Sequence, residues 1–224
     1  MDQKTIGQSL IPDNRIIATN NGFINGLDKC GRVIAREEFD YTQMENELTM
    51  CFRDVLSVLP DNPNREGLID TPRRVARAYR EFFKGYTPIT FELRDFESGY
   101  DGLIVRKKIP FVAFCEHHVC PFPGTIDFAY IPNGKVLGLS KIIRFMQHYT
   151  SRLWIQEDMT TFLIDKFMEV VEPKGAAIIV EACHTCESYR GVKEPNVPTI
   201  TAAVRGVFMH EPGLEARFYS LVGR

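Results

Sequence analysis

Four of the six cysteines and three of the five histidines fall in two short segments of the 224-residue chain. The first is Cys115-Glu116-His117-His118, with Cys120 just beyond it; the second is Cys183-His184-Thr185-Cys186. Thiolate and imidazole together suit Zn²⁺. Cys115 and His118 are three positions apart, so two ligands from one turn can converge on one ion. Cys183 or Cys186 can add a third from the other segment. The number of ligands then decides the chemistry. Three protein ligands leave a place for water, and four close the site. If Cys115, His118, Cys183 and Cys186 all bind, the zinc is structural. If only one of the second pair binds, a water is activated, with its pKa brought from ~16 down to ~7. A lone Cys or His is more simply a packed core residue; two paired clusters argue for a metal. His117 and His184 remain beside the candidate ligands. Imidazole next to an activated water is the usual proton carrier near neutral pH, and a structural site has no use for it.

Both clusters follow apolar stretches that read as strands. Leu103 to Phe114 and Ala176 to Cys183 are rich in apolar and β-branched residues. Thr125 to Ile131 alternates through Ile126, Phe128 and Tyr130, and Asn133-Gly134 signals a hairpin. Thr199 to Met209 alternates through Ile200, Ala202, Val204 and Phe208. Helical spacing predicts a helix from Thr42 to about Leu59, opened by the Thr42/Glu45 capping-box spacing. A second runs from Thr71-Pro72 toward Gly85, with Arg73, Arg74 and Arg77 off its apolar stripe. A third, capped by Ser140, carries Ile142, Ile143, Met146, Tyr149 and Leu153. A fourth spans about Gln156 to Val171. Glu157 at its start is a carboxylate that the helix dipole favours. Helices segregated from strands argue for an α+β fold with an antiparallel sheet.

The remaining sequence sets bounds. Apolar residues are 44% and charged residues 25%, which is a globular composition. The formal net charge of −2 gives no basic field for nucleic acid or an anionic membrane, so any anionic ligand needs a local Arg/Lys cluster. No apolar run approaches the ~20 residues of a membrane span, and Met1 to Leu10 has no signal-like core. The expected compartment is the cytoplasm, with neither nucleic acid nor membrane as partner. Residues 1–41 are weakly patterned and read as an extension; 42–224 read as one domain, with a helical part (42–100) and a sheet-bearing part (101–224).

Several separated motifs then converge. Arg65-Glu66-Gly67-Leu68, Asp70-Thr71-Pro72-Arg73-Arg74-Val75-Ala76, Cys115-Glu116-His117-His118, Gly138-Leu139-Ser140-Lys141, Gln156-Glu157 and His184-Thr185-Cys186 with Arg190-Gly191-Val192 closely resemble the GTP cyclohydrolase I family. The resemblance runs from about residue 44 to 222. It implies a tunnelling fold, an antiparallel sheet backed by helices and joined between subunits into rings, as a homodecamer. It implies zinc-dependent conversion of GTP and water to 7,8-dihydroneopterin triphosphate and formate, by attack of activated water at purine C8. The residues that match imply Cys115, His118 and Cys186 as zinc ligands and His117 and His184 as catalytic histidines. They also imply Gln156 and Glu157 for guanine, Ser140 and Lys141 near the triphosphate and purine, and Arg74, Arg77, Arg144 and Arg190 for the triphosphate. Arg77 stands where the family often has Lys, Cys183 where it often has Thr, and Cys120 is an additional thiol. Two other readings compete with this one: a non-catalytic zinc scaffold on the same fold, and a nitrile reductase of the tunnelling-fold group using nicotinamide and a cysteine nucleophile.

Overall fold

The computed structural model describes residues 24–27, 33–36 and 40–224. They fall into two compact units. One takes the described residues up to Arg80 together with Tyr86–Pro88, and the other takes Glu81–Gly85 and Ile89–Arg224. The sequence reading of residues 1–41 as an extension falls mostly outside the described residues, as does Cys30. Within that stretch Ile24–Leu27 (β1) and Val33–Arg36 (β2) pair antiparallel.

In the first unit, helix α1 spans Tyr41–Val58. Its cap is Asp40, not Thr42. The Asp40 carboxylate accepts from the N–H groups of Thr42 and Gln43 at 2.8 and 3.0 Å, which places Thr42 already inside the helix. Helix α2, Thr71–Phe82, meets α1 through an edge-on Phe52–Tyr79 pair with centroids 5.2 Å apart, and Arg80 lies over the Tyr41 ring.

The second unit is built on a five-stranded sheet of order β7-β4-β5-β8-β9. Its strands are β4 (Ile104–Cys115), β5 (Pro121–Ile131), β7 (Leu153–Trp154), β8 (Gly175–Ala182) and β9 (Thr199–Gly206). All neighbours are antiparallel except the short β7, which runs parallel to β4. A small antiparallel pair, β3 (Asp95–Glu97) with β6 (Lys135–Leu137), stands apart from it. Helices α3 (Leu139–Thr150) and α4 (Gln156–Val171) follow in the chain. Next come a single turn, α5 (Thr185–Ser188), and a terminal helix, α6 (Pro212–Val222).

Strand alternation sorts the core onto two faces. On one, Ile126, Phe128 and Tyr130 of β5 and Ile178, Val180 and Ala182 of β8 cluster with Phe145 of α3 and Met159, Leu163 and Phe167 of α4. On the other, Ala129, Ile131, Ala177 and Ile179 cluster with Phe208, Phe218 and Val222. The architecture is therefore α+β, with helical cover on both faces of the sheet.

Three boundaries differ from the sequence reading for physical reasons. β5 begins at Pro121 rather than Thr125. Pairing with β8 starts at Gly124↔Ala182, and just past it the Pro123 carbonyl accepts from the Cys183 N–H at 3.1 Å, so Pro121 and Pro123 lie at the end of that ladder, where a missing N–H is tolerated. Helix α3 is preceded by Gly138, with no side-chain cap; Ser140 is within its first turn, and Leu153 belongs to β7. β9 stops at Gly206, whose φ of 63° turns the chain into a 3-10 turn at Val207–Met209. No helix among the described residues is long and apolar enough to cross a membrane.

Candidate metal centre

Cys115 is the last residue of β4 and is buried. The chain then turns sharply. The N–H of Val119 donates to the Cys115 carbonyl at 2.8 Å, the Cys115 N–H donates to the Cys120 carbonyl at 2.8 Å, and Val119 takes a φ of 53°. This turn carries both imidazoles back over the strand end. His118 Nδ1 lies 3.7 Å from Cys115 Sγ, and His117 Nδ1 lies 3.8 Å from it. β8 ends beside β5, and the chain passes into α5, whose Thr185 hydroxyl donates to the Pro121 carbonyl at 2.6 Å. That bond ties the second cluster to the strand that follows the first. Cys186 is thereby swung in. One ligand atom from each of Cys115, His118 and Cys186 lies within 4.8 Å of the others. Cys183 is not in that group.

The donor set fits a zinc ion. Thiolate and imidazole around one tetrahedral zinc, at ~2.3 and ~2.0–2.1 Å, stand about 3.5–4 Å from one another, and the Cys115–His118 separation is 3.7 Å. Two thiols and one imidazole make a borderline-soft set. The thiol of Cys186 is pushed up, first by burial and then by its hydrogen bond with Cys115 and the nearby charges of Cys115 and Cys120. A cation at this place would favour the ionised form of the Cys186 thiol.

β7 joins a third element to the group. Its pairing puts Trp154 beside Cys115, and the Glu116 N–H donates to the Trp154 carbonyl at 3.2 Å. Two residues later α4 begins with Gln156 and Glu157. Gln156 is buried, and its Oε1 lies 2.9 Å from His184 Nε2. The His184 ring stacks on Phe122, with centroids 4.4 Å apart and planes 14° from parallel. Burial holds the His184 imidazole below its ordinary value, against the pull of Glu187 and Glu157.

The other residues singled out in the sequence are placed as follows. Glu157 is exposed in the first turn of α4. Ser140 and Lys141 lie in the first turn of α3, with Arg144 exposed on the next turn, and Arg190 is exposed just past α5. Among the described residues no hydrogen bond or ion pair ties Ser140, Arg144 or Arg190 to the Cys/His group. Arg74 and Arg77 belong to α2 of the first unit. Arg74 lies 3.5 Å from Asp70, and Arg77 bonds Glu45 at 3.0 Å. Sequence reasoning overlooked Phe122, whose place in Pro121-Phe122-Pro123 reads as loop. It also overlooked Thr199 and Thr201, whose relation to Gln156 exists only across the sheet.

Fold and site together define an α+β protein in which Cys115, His118 and Cys186 are grouped so that they could hold a metal ion. A profile of the GTP cyclohydrolase I family matches residues 48–223. GTP cyclohydrolase 1 of Campylobacter jejuni subsp. jejuni serotype O:6 is 41% identical over 182 residues, covering 80% of this chain and 96% of the relative. GTP cyclohydrolase 1 of Sinorhizobium fredii is 43% identical over 182 residues, covering 80% and 89%. Among solved structures, an archaeosine synthase QueF-Like in its apo form aligns with 49% of this chain and 97% of its own, at a TM-score of 0.38 and 20% identity. The chain belongs to the GTP cyclohydrolase I family of enzymes.

Proposed function

We propose that this protein converts GTP and water to 7,8-dihydroneopterin triphosphate and formate. We propose that it does so with zinc on Cys115, His118 and Cys186, as a cytoplasmic homodecamer of tunnelling-fold subunits. In this reading residues 42–100 are the helical part of the domain and 101–224 the catalytic part. The observation that carries it is the convergence of Cys115, His118 and Cys186 with the spare His117 close by and His184 on the same turn as Cys186. A metal bound there would supply Lewis acidity that makes water nucleophilic near neutral pH.

The chain's own groups do the rest. Guanine presents N1–H and an exocyclic amine on one edge, and the two oxygens of Glu157 accept both. Adenine lacks that pair of donors, so a carboxylate committed to them discriminates strongly against ATP. The first-turn N–H groups of α4, including that of Gln156, have no helical partner and face whatever occupies its N-terminus; guanine O6 is a suitable acceptor. Arg74, Arg77, Arg144 and Arg190, with Lys141 and the Ser140 hydroxyl, neutralise and orient the triphosphate. Guanidinium forks bind phosphate oxygens bidentately, which a chain with no net positive charge needs. His184 and His117 carry protons as the five-membered ring opens, C8 leaves as formate and the pterin ring closes. Proton transfer recurs at each step, so two imidazoles are in keeping with the sequence of reactions.

The test is turnover by the purified, zinc-analysed protein, following formate and the oxidised fluorescent pterin, with ATP as control. Formate from GTP and none from ATP is expected. Absence of formate at full zinc occupancy would favour the closed scaffold, and GTP-independent oxidation of a nicotinamide would favour the reductase reading.

A further inference from the structure

Gln156 is an amide with both hydrogens spent in one direction and its oxygen in the other. Its Nε2 lies 3.0 Å from the Thr199 carbonyl, 3.3 Å from the Val180 carbonyl and 3.2 Å from Thr201 Oγ1. Carbonyl oxygens only accept, so the chemistry of these partners sets which end of the amide points to the sheet. The hydroxyls close the arrangement. Thr160 gives its one hydrogen to the main-chain carbonyl of Gln156 at 2.9 Å. Thr201 must therefore donate in its 2.6 Å contact with Thr160, which leaves Thr201 Oγ1 as an acceptor for Gln156. Flipping the amide would set its oxygen against two carbonyls. The residue is 1% exposed, so the amide is oriented by these protein partners. Oε1 is left facing His184 Nε2 at 2.9 Å. Oε1 has no hydrogen to give, so Nε2 must carry one whether the ring is neutral or charged. Phe122 stacked on the ring fixes its plane.

We propose that Gln156 is a positioning residue that holds the hydrogen of His184 on Nε2, so that Nδ1 is the atom that takes and returns the proton in the reaction. This rests on the reading of His184 as a proton carrier, and it deepens that reading. It also assigns the Gln156 side chain to the histidine rather than to the purine. A histidine held in one tautomer presents the same bare nitrogen in every cycle. Without the restraint, part of the population presents Nε2 instead and is idle.

The experiment is solid-state NMR of the full-length, zinc-loaded protein labelled with ¹⁵N-histidine. The His184 signals are assigned by their loss in His184→Ala. Hydrogen on Nε2 and a bare Nδ1 are expected in the wild-type protein. Hydrogen on Nδ1 with Nε2 bare would overturn the proposal without any variant. Gln156→Met, isosteric but without polar atoms, should lose the Nε2–H preference. Its kcat should drop by about 10- to 100-fold, up to the lower bound of the ~10²–10⁴-fold range of general acid–base catalysis, because the histidine itself is kept. KM for GTP should stay within about twofold, with zinc content unchanged. A raised KM with unchanged kcat in Gln156→Met would mean that the side chain serves the substrate, and would also overturn the proposal. Wild-type protein that makes no formate would instead refute the functional reading, while the ring-nitrogen measurement would still report on Gln156.

Discussion

Replacing Gly124 with alanine tests whether strand pairing is what brings the two clusters together. Gly124 pairs with Ala182 on β8, one residue before Cys183. A Cβ there would lie 2.3 Å from the Glu181 carbonyl, 2.8 Å from Ala182 Cβ and 2.8 Å from Phe111 Cε1. Two of these neighbours cannot rotate away, and the closest falls about 1 Å short of ordinary van der Waals contact. Phe111 is itself held edge-on against Phe122, the ring that stacks on His184. The methyl must therefore push β8 from β5 or drive Phe111 into Phe122, and either route moves the second cluster relative to Cys115. Overpacking of this kind costs ~1–3 kcal/mol. At ~2–4 °C per kcal/mol for a chain of this size, Tm should fall by about 2–12 °C at matched protein concentration. Displacement of catalytic groups by ~1 Å costs up to ~10²-fold in turnover. The assays are a thermal melt, zinc per chain and formate release. A Gly124→Ala protein melting within about 1 °C of wild type, with turnover within about twofold, would refute the argument that this close approach sets the site.

Cys183→Ser should retain one zinc per chain and most activity, whereas Cys186→Ser should lose the metal; metal analysis of the two purified variants separates them. His184→Ala should keep its zinc and lose ~10²–10⁴-fold in turnover, and loss of zinc in that variant would count against its placement outside the ligand set. Glu157→Gln replaces one acceptor by a donor facing the donors of guanine. At ~1.5–3 kcal/mol for a charged hydrogen bond, kcat/KM for GTP should fall by about 10- to 150-fold. An unchanged preference for GTP over ATP would remove Glu157 from base recognition.

Much of this organisation can be read from local pattern. Helix α4 runs from Gln156 to Val171 as its spacing predicts, and β8 differs from the predicted Ala176–Cys183 run by one residue at each end. Both are long, strongly patterned segments. What escaped the sequence depends on partners distant in the chain. Leu153-Trp154 is too short to announce itself, and it becomes a strand only because β4 lies alongside. Pro121 and Pro123 argue against a strand until the offset between β5 and β8 is known. Helix α6 did carry local signals, Pro212 at its start and Gly223 in the left-handed region at its end, which the sequence reading passed over. At the site, spacing alone left Cys183 and Cys186 equivalent. The single turn of α5, held by the Thr185–Pro121 bond, is what brings Cys186 to Cys115 and His118. The inward commitment of Gln156 is legible only once Thr199, Val180 and Thr201 are seen around it.

The most direct test of the account is X-ray absorption at the zinc edge of the purified full-length protein. One zinc per chain is expected, with two sulfur ligands at ~2.3 Å, one imidazole nitrogen at ~2.0–2.1 Å and one further light ligand exchangeable with solvent. Three sulfurs in the first coordination sphere would mean that Cys183 or Cys120 closes the site, and would contradict an open, water-activating centre.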